Sequence, residues 1–343
     1  MGRRLLFLLA LLISVGAAES WRLPTGVFPH EIAVFSDDIY VASSDGLWRL
    51  RADKKAVRIG GAQRASWPLV AGVDRLWWMQ GEWAAEFDRV TGAIRPVASL
   101  RTKRVGVMTR RLGLYFVDDE GGTAWSADGV SWQGPVGEAQ HLFALDRMAG
   151  EWWAFTNPDP ENTDKFVLSR SADLRTWTKA AEFIGRQPGS LAAGAGVIVI
   201  TEIAGVRVFD PQALPQSAFV TVGPADERPA VYFENGCFWL HGERDGLWRS
   251  ADGRDWQNLQ AVLAPLEAPL VQIAFAPDAL ILAGYTGRIV RVPLASLPDP
   301  VRLGSNPKRR QLAGADLASA RAGRGQATPL QAGSNPASLF TSP

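Results

Sequence analysis

The chain has 343 residues, a formal net charge of +1, and a composition that is 47% apolar and 21% charged. Such neutrality argues against a nucleic-acid partner, which demands a basic surface to neutralise phosphates. The lone cysteine, Cys237, rules out an internal disulfide framework.

The chain opens on a pattern of export. Arg3 and Arg4 form a positive start, and Leu5 to Val15 is an almost unbroken apolar run. That run has the size of a signal core and is too short to span a bilayer. Gly16-Ala17-Ala18 places small residues before Glu19, so residues 1–18 read as a cleaved signal peptide. No Asn-X-Ser/Thr acceptor and no disulfide pair are present, which points to a bacterial periplasmic or secreted protein. No later segment has the roughly 18 apolar residues of a membrane span.

Repeats organise the body. Ser126-Ala127-Asp128-Gly129-Val130-Ser131-Trp132, Ser171-Ala172-Asp173-Leu174-Arg175-Thr176-Trp177 and Ser250-Ala251-Asp252-Gly253-Arg254-Asp255-Trp256 match one another. Their intervals are one and two multiples of a period of about 40 residues. Weaker copies fill that period: Gly46-Leu47-Trp48-Arg49, Ala85-Glu86-Phe87-Asp88, Val206-Arg207-Val208-Phe209-Asp210 and Arg288-Ile289-Val290-Arg291-Val292. Anchors at Trp48, Phe87, Ala124, Ser169, Phe209, Trp248 and Val290 then define seven units. Each unit holds short β-rich runs bounded by Gly, Asp and Asn, the signal of strands and hairpins. In unit six these are Ala230–Phe233, Cys237–Leu240, Leu247–Arg249 and a short strand after Trp256; in unit one, Ile32–Phe35, Ile39–Ala42 and Leu47–Leu50.

Four strands at this spacing make a propeller blade. The expected fold is therefore all-β: a seven-bladed β-propeller of four-stranded antiparallel blades over residues 19–302. Trp21–Thr25 or Pro300–Leu303 would supply the outer strand that closes the ring. Cys237, inside a strand-like run, reads as a buried small apolar residue. Most of the 14 Trp residues, including Trp77-Trp78 and Trp152-Trp153, read as packing between layers.

The Ser-X-Asp-Gly-X-X-Trp turns resemble the Asp-box, or bacterial neuraminidase repeat, found in sialidase-like and photosystem II assembly factor-like propellers. The usual box has one more residue between Asp and Trp, so these are a shortened variety. Ser and Asp side chains can bond backbone groups across a tight turn, and Gly tolerates positive φ there. Ser126, Asp128, Trp132, Ser171, Asp173, Trp177, Ser250, Asp252 and Trp256 are accordingly read as structural.

From Leu303 the pattern stops. Residues 303–343 are rich in Gly, Ala, Ser and Pro, carry about five Lys/Arg against one Asp, and lack the apolar area that ordering demands. A disordered basic tail is expected. With the two arginines of the leader also set aside, the body is mildly acidic, roughly −5.

The resemblance implies that chemistry lies opposite the Asp-box turns, on loops joining second to third strands and on links between blades. Those segments hold Glu82, Asp118, Asp119, Glu120, Glu243, Asp245 and Arg186, with Asp159, Glu161 and Asp164 in the longest. Arg64, Arg104, Arg228, His141 and His241 are the candidate ligand-binding residues, and His30 maps to the same face. An Arg-rich link face suits an acidic glycan or a carboxylate-bearing protein partner. A sialidase needs a Tyr–Glu nucleophile pair; only Tyr285, in Gly284-Tyr285-Thr286-Gly287, offers itself as a catalytic candidate, without a paired Glu in view. No motif implies a cofactor, and three scattered histidines lack local metal spacing. The expected function is an exported, non-catalytic propeller that binds a protein or glycan on its loop face. The alternative is an exported glycoside hydrolase of sialidase-like type.

Overall fold

The computed structural model describes residues 19–300, apart from 60–65, 73–74, 81–82, 89, 98–106, 112, 120–121, 135–143, 157–163, 186–187, 224–228 and 243–245. The leader and the basic tail lie outside the described residues.

Seven antiparallel sheets succeed one another along the chain. The N-terminal strand is β1 (Glu19–Arg22). Blade one holds β2 (Pro29–Phe35), β3 (Asp38–Ser43), β4 (Gly46–Leu50) and β5 (Ala56–Arg58), and blade two β6 (Ser66–Ala71), β7 (Arg75–Gln80), β8 (Trp83–Asp88) and β9 (Ile94–Pro96). Blade three holds β10 (Val107–Arg111), β11 (Leu114–Asp119) and β12 (Gly122–Ser126), extended by a single bridge from Trp125 to Gln133. Blade four holds β13 (Ala144–Met148), β14 (Glu151–Thr156), β15 (Lys165–Ser171) and β16 (Thr178–Ile184). Blade five holds β17 (Leu191–Gly194), β18 (Val197–Glu202), β19 (Gly205–Phe209) and β20 (Ser217–Thr221). Blade six holds β21 (Ala230–Glu234), β22 (Cys237–Gly242), β23 (Gly246–Ser250) and β24 (Gln257–Asn258). Blade seven holds β25 (Leu270–Phe275), β26 (Ala279–Gly284) and β27 (Arg288–Pro293).

The chain is thus a seven-bladed propeller, and all seven predicted anchors lie on third strands. The ring closes through its N-terminal end: β1 pairs with β27, with Glu19 opposite Arg291 and Trp21 opposite Ile289. The closing strand starts two residues earlier than expected. Pro24 ends it, and the Leu23 N–H still bonds the Gly287 carbonyl at 2.9 Å. In blade six the fourth strand is only Gln257–Asn258, and a 3-10 helix over Gln260–Leu266 takes its place with Leu263 and Leu266 buried.

Burial peaks at the second strands and falls toward the outer edge. Second strands are buried along nearly their whole length, β18 (VIVITE) and β26 (ALILAG) at every residue. Outer strands β9 and β20 are almost wholly exposed. Blades stack face to face, so an inner strand has a neighbour on both faces and reads as an unbroken apolar run. One apolar cluster fills each of the seven seams. Along β26, Leu280 and Leu282 face blade six while Ala279, Ile281 and Ala283 face blade one.

The three Ser-X-Asp turns are bonded alike. Asp252 Oδ1 accepts the N–H groups of Arg254 (2.9 Å) and Asp255 (3.0 Å), while Ser250 Oγ accepts that of Gly253 (2.9 Å) and donates to Asp252 (3.1 Å). Asp128 and Asp173 do the same. In the first turn the N–H groups of Ser131 and then Val130 hold the Asp128 carboxyl well below the usual carboxylate range. Each turn also abuts the preceding blade. A Cβ on Gly253 would lie 2.7 Å from Val199 Cγ2, and one on Gly129 2.3 Å from Trp77 Cη2. The second turn has Leu174 there, at φ 64°, because the seam holds Phe116 and room for a buried side chain.

Asp252→Ala orphans two turn N–H groups and is expected to cost about 1–3 kcal/mol. Urea unfolding checks this; an unchanged midpoint would show that the turn needs no carboxylate.

Candidate functional site

First-to-second and third-to-fourth connections emerge on one face of the ring, with the Ser-X-Asp turns. Second-to-third connections and links between blades emerge on the other, the loop face. There the inner strands begin, and their edge N–H groups need acceptors. Side chains from the neighbouring blade supply three. Glu31 accepts the N–H of Leu69 at 2.6 Å, Asp146 that of Ala193 at 2.9 Å, and Ser190 that of Val231 at 2.8 Å. These polar groups hold blade to blade.

Glu31 is half-buried by surface, yet protein encloses it on nearly every side. Burial pushes its carboxyl up to about 8, with the Leu69 N–H pulling the other way. Other carboxylates are consumed inside blades. Buried Glu86 takes Arg75 and the Trp77 indole N–H, both at 3.3 Å, together with Arg95. Buried Glu202 takes Arg207, whose guanidinium lies between the rings of Phe183 and Phe219.

Of the candidate ligand-binding residues, Arg64, Arg104, Arg228 and His141 lie outside the described residues, as do Glu82, Glu120, Glu243, Asp245, Arg186, Asp159 and Glu161. Asp118 and Asp119 end β11, and Asp164 immediately precedes β15. His241 is the described member of that set. It is next to last in β22, only 5% exposed, stacked on Tyr232 at 6.0 Å. Gln272 and the Gly242 backbone lie beside the ring without completing a well-aligned hydrogen bond. Burial pushes the imidazole down to about 4, so it is neutral at pH 7 and walls the seam between blades six and seven. His30 lies on β2 of blade one; among the described residues no His, Cys, Asp or Glu group is arranged to hold a metal.

Tyr285, the catalytic candidate, is a turn residue. It projects from the β26–β27 turn, 59% exposed, and pairs with Phe28 rather than with a glutamate. Phe28 is 41% exposed, and the two ring centroids are 5.3 Å apart. Both backbones are fixed. The Phe28 N–H donates to Ser44 Oγ (3.1 Å) and the Tyr285 N–H to the Pro269 carbonyl (3.0 Å). Arg22 and Arg288 share Glu267 at the same seam between blades seven and one. Exposed aromatics held rigidly beside arginines have the composition of an interface hot spot. Phe28 falls outside the repeat pattern of the sequence. Its position in the Pro- and Gly-punctuated link Pro24–Pro29 was the available signal, since a large ring in such a link has no strand face to bury it.

No family model and no curated protein matches this chain. Solved structures do. YCF48 from Cyanidioschyzon merolae superposes with a TM-score of 0.60 at 12% identity, covering 82% of this chain and 99% of that one. YCF48 bound to D1 peptide gives 0.57 at 15% identity, over 84% and 97% of the two chains. Virginiamycin B lyase from Staphylococcus aureus gives 0.60 at 12%, over 81% and 99%. At these identities the likeness establishes the propeller fold.

Proposed function

We propose that this chain is an exported, non-catalytic propeller that binds a protein segment on its loop face, at the seam between blades seven and one. The observation carrying this reading is the exposed, backbone-fixed pair of Phe28 and Tyr285 beside Arg22 and Arg288. Rings fixed in advance lose little entropy when a partner covers them. A structural neighbour binds a peptide on the same fold. Arg64, Arg104 and Arg228, which the sequence puts in links between blades, favour a segment that carries carboxylates. Export rests on the leader, which places the mature start at Glu19. Among the described residues no helix is long and apolar enough to cross a membrane.

The test places a photo-crosslinking phenylalanine analogue at position 28 or 285 in the exporting cell, with Val130 on the opposite face as control. Discrete protein adducts are expected from 28 and 285 but not from 130, on a product whose intact mass begins at Glu19. Phe28→Ser with Tyr285→Ser, carrying no crosslinker, should abolish co-purification of the protein found in those adducts while melting as wild type does. Adducts from 130 alone, or turnover of a sialidase substrate by the wild type, would sink the proposal.

A further inference from the structure

The outer rim between blades five and six is open. A cleft of about 300 Å³ lies there, lined among others by Thr221, Trp248, Arg254, Asp255, Trp256 and Asn258. It is separate from the Phe28–Tyr285 patch.

Both indoles are immobile. Trp256 is half-buried, and its Nε1–H donates to the Gly253 carbonyl at 3.0 Å within the Ser250–Trp256 turn. Trp248 is 7% exposed and wedged between Gly223 and Gly246, where an added Cβ would come within 3.3 and 2.9 Å of its ring. The charged side chains of the cleft are unspent. The backbone N–H groups of Arg254 and Asp255 are pinned to Asp252, whereas their side chains make no hydrogen bond or ion pair among the described residues. The equivalent arginine of the second turn is occupied, since Arg175 Nη2 donates to Gln133 at 2.8 Å. The first turn has Val130 and Ser131 at these positions. Asn258 Oδ1 accepts the Gln260 N–H at 2.7 Å, which leaves its amide NH2 as the group able to donate.

We infer that this cleft binds a sugar ring. A pyranose has an apolar face of C–H groups and a rim of hydroxyls that both donate and accept. The half-buried indole of Trp256, backed by the buried ring of Trp248, suits the face. A planar fork of donors (Arg254), an acceptor pair (Asp255) and an amide (Asn258) suit the rim. A peptide would ask for an apolar anchor pocket, and here polar groups ring the opening. The volume is at the small end of ligand clefts, about 300–1,000 Å³, which sets the ligand at one or two rings. The unpaired guanidinium further favours a ring bearing a carboxylate.

Saturation-transfer NMR tests this on the wild-type protein, with D-glucose, N-acetylglucosamine, D-glucuronate and N-acetylneuraminate as probes. Saturable transfer to the ring protons of at least one is expected, strongest for an acidic sugar. Arg254→Ala with Asp255→Asn should weaken that binding roughly tenfold or more, and Arg254→Ala alone should hurt acidic sugars more than neutral ones. Arg254 is exposed and Asp255 half-buried, so the variants should melt as wild type does. No saturable transfer from any probe, or an affinity untouched by the double change, overturns the inference.

Discussion

Glu31→Gln is expected to stabilise the propeller at pH 9 and to leave it nearly unchanged at pH 4. In the folded ring the Glu31 carboxyl titrates at about 8, against an ordinary 4.5. Below 4.5 both states hold the proton and the residue contributes nothing to pH dependence. Between 4.5 and 8 the unfolded chain ionises while the folded one keeps its proton, so stability falls as pH rises. Above 8 the loss is complete. The shift sets a ceiling of about 5 kcal/mol. The partial exposure of Glu31 lowers the realised gain to roughly 1–3 kcal/mol. Glutamine keeps an oxygen for the Leu69 N–H and never ionises. His241 runs the other way. Its folded pKa of about 4 lies below the ordinary 6.5, so its contribution is present above 6.5 and is lost as pH falls towards 4. Urea midpoints at pH 4, 6, 8 and 9 separate the two residues. A difference between variant and wild type that stays constant across pH would refute the assignment of Glu31.

Trp21→Ala is expected to be the most damaging single substitution at the ring closure. Trp21 is 5% exposed, sits in the seam cluster of blades seven and one, and donates Nε1–H to the Arg51 carbonyl at 2.7 Å. Truncating a buried aromatic costs about 3–5 kcal/mol. Here the cost is compounded, because β1 is a four-residue strand paired on one side only. Trp21→Phe should fall between, keeping much of the area but losing the bond to Arg51. Removing residues through Arg22 should be worse than either, since it bares the edge of β27. Unfolding and limited proteolysis read all three. A Trp21→Ala protein within about 0.5 kcal/mol of wild type, the range of ordinary surface changes, would mean that the ring stays closed without this strand.

The candidate site was much less legible than the scaffold. Arg64, Arg104, Arg228 and His141 were singled out because they fall in links, which is a statement about chain position. His241 shared that logic and is buried against Tyr232 instead. Its position at the end of a second strand could mean a loop or a seam, and only the packing of blade seven against blade six chooses. Phe28 and Tyr285 lie near opposite ends of the chain. No local pattern joins them; closure of the ring does.

The sequence by itself determined the seven units, their third-strand anchors, the turns that cap them and the buried place of Cys237. Those are local matters: alternation of apolar residues and a Ser-Asp pair within one turn act over a few residues and leave their mark in order. The tertiary structure decided which terminus closes the ring, how short the outer strands are, which side chain bridges each seam and which carboxyl keeps its proton. Each depends on what lies on the far side of a blade face or across the closure, contributed by residues far away in the chain. The pairing of Trp21 with Ile289 and the proton on Glu31 exist only once the first blade meets its neighbours.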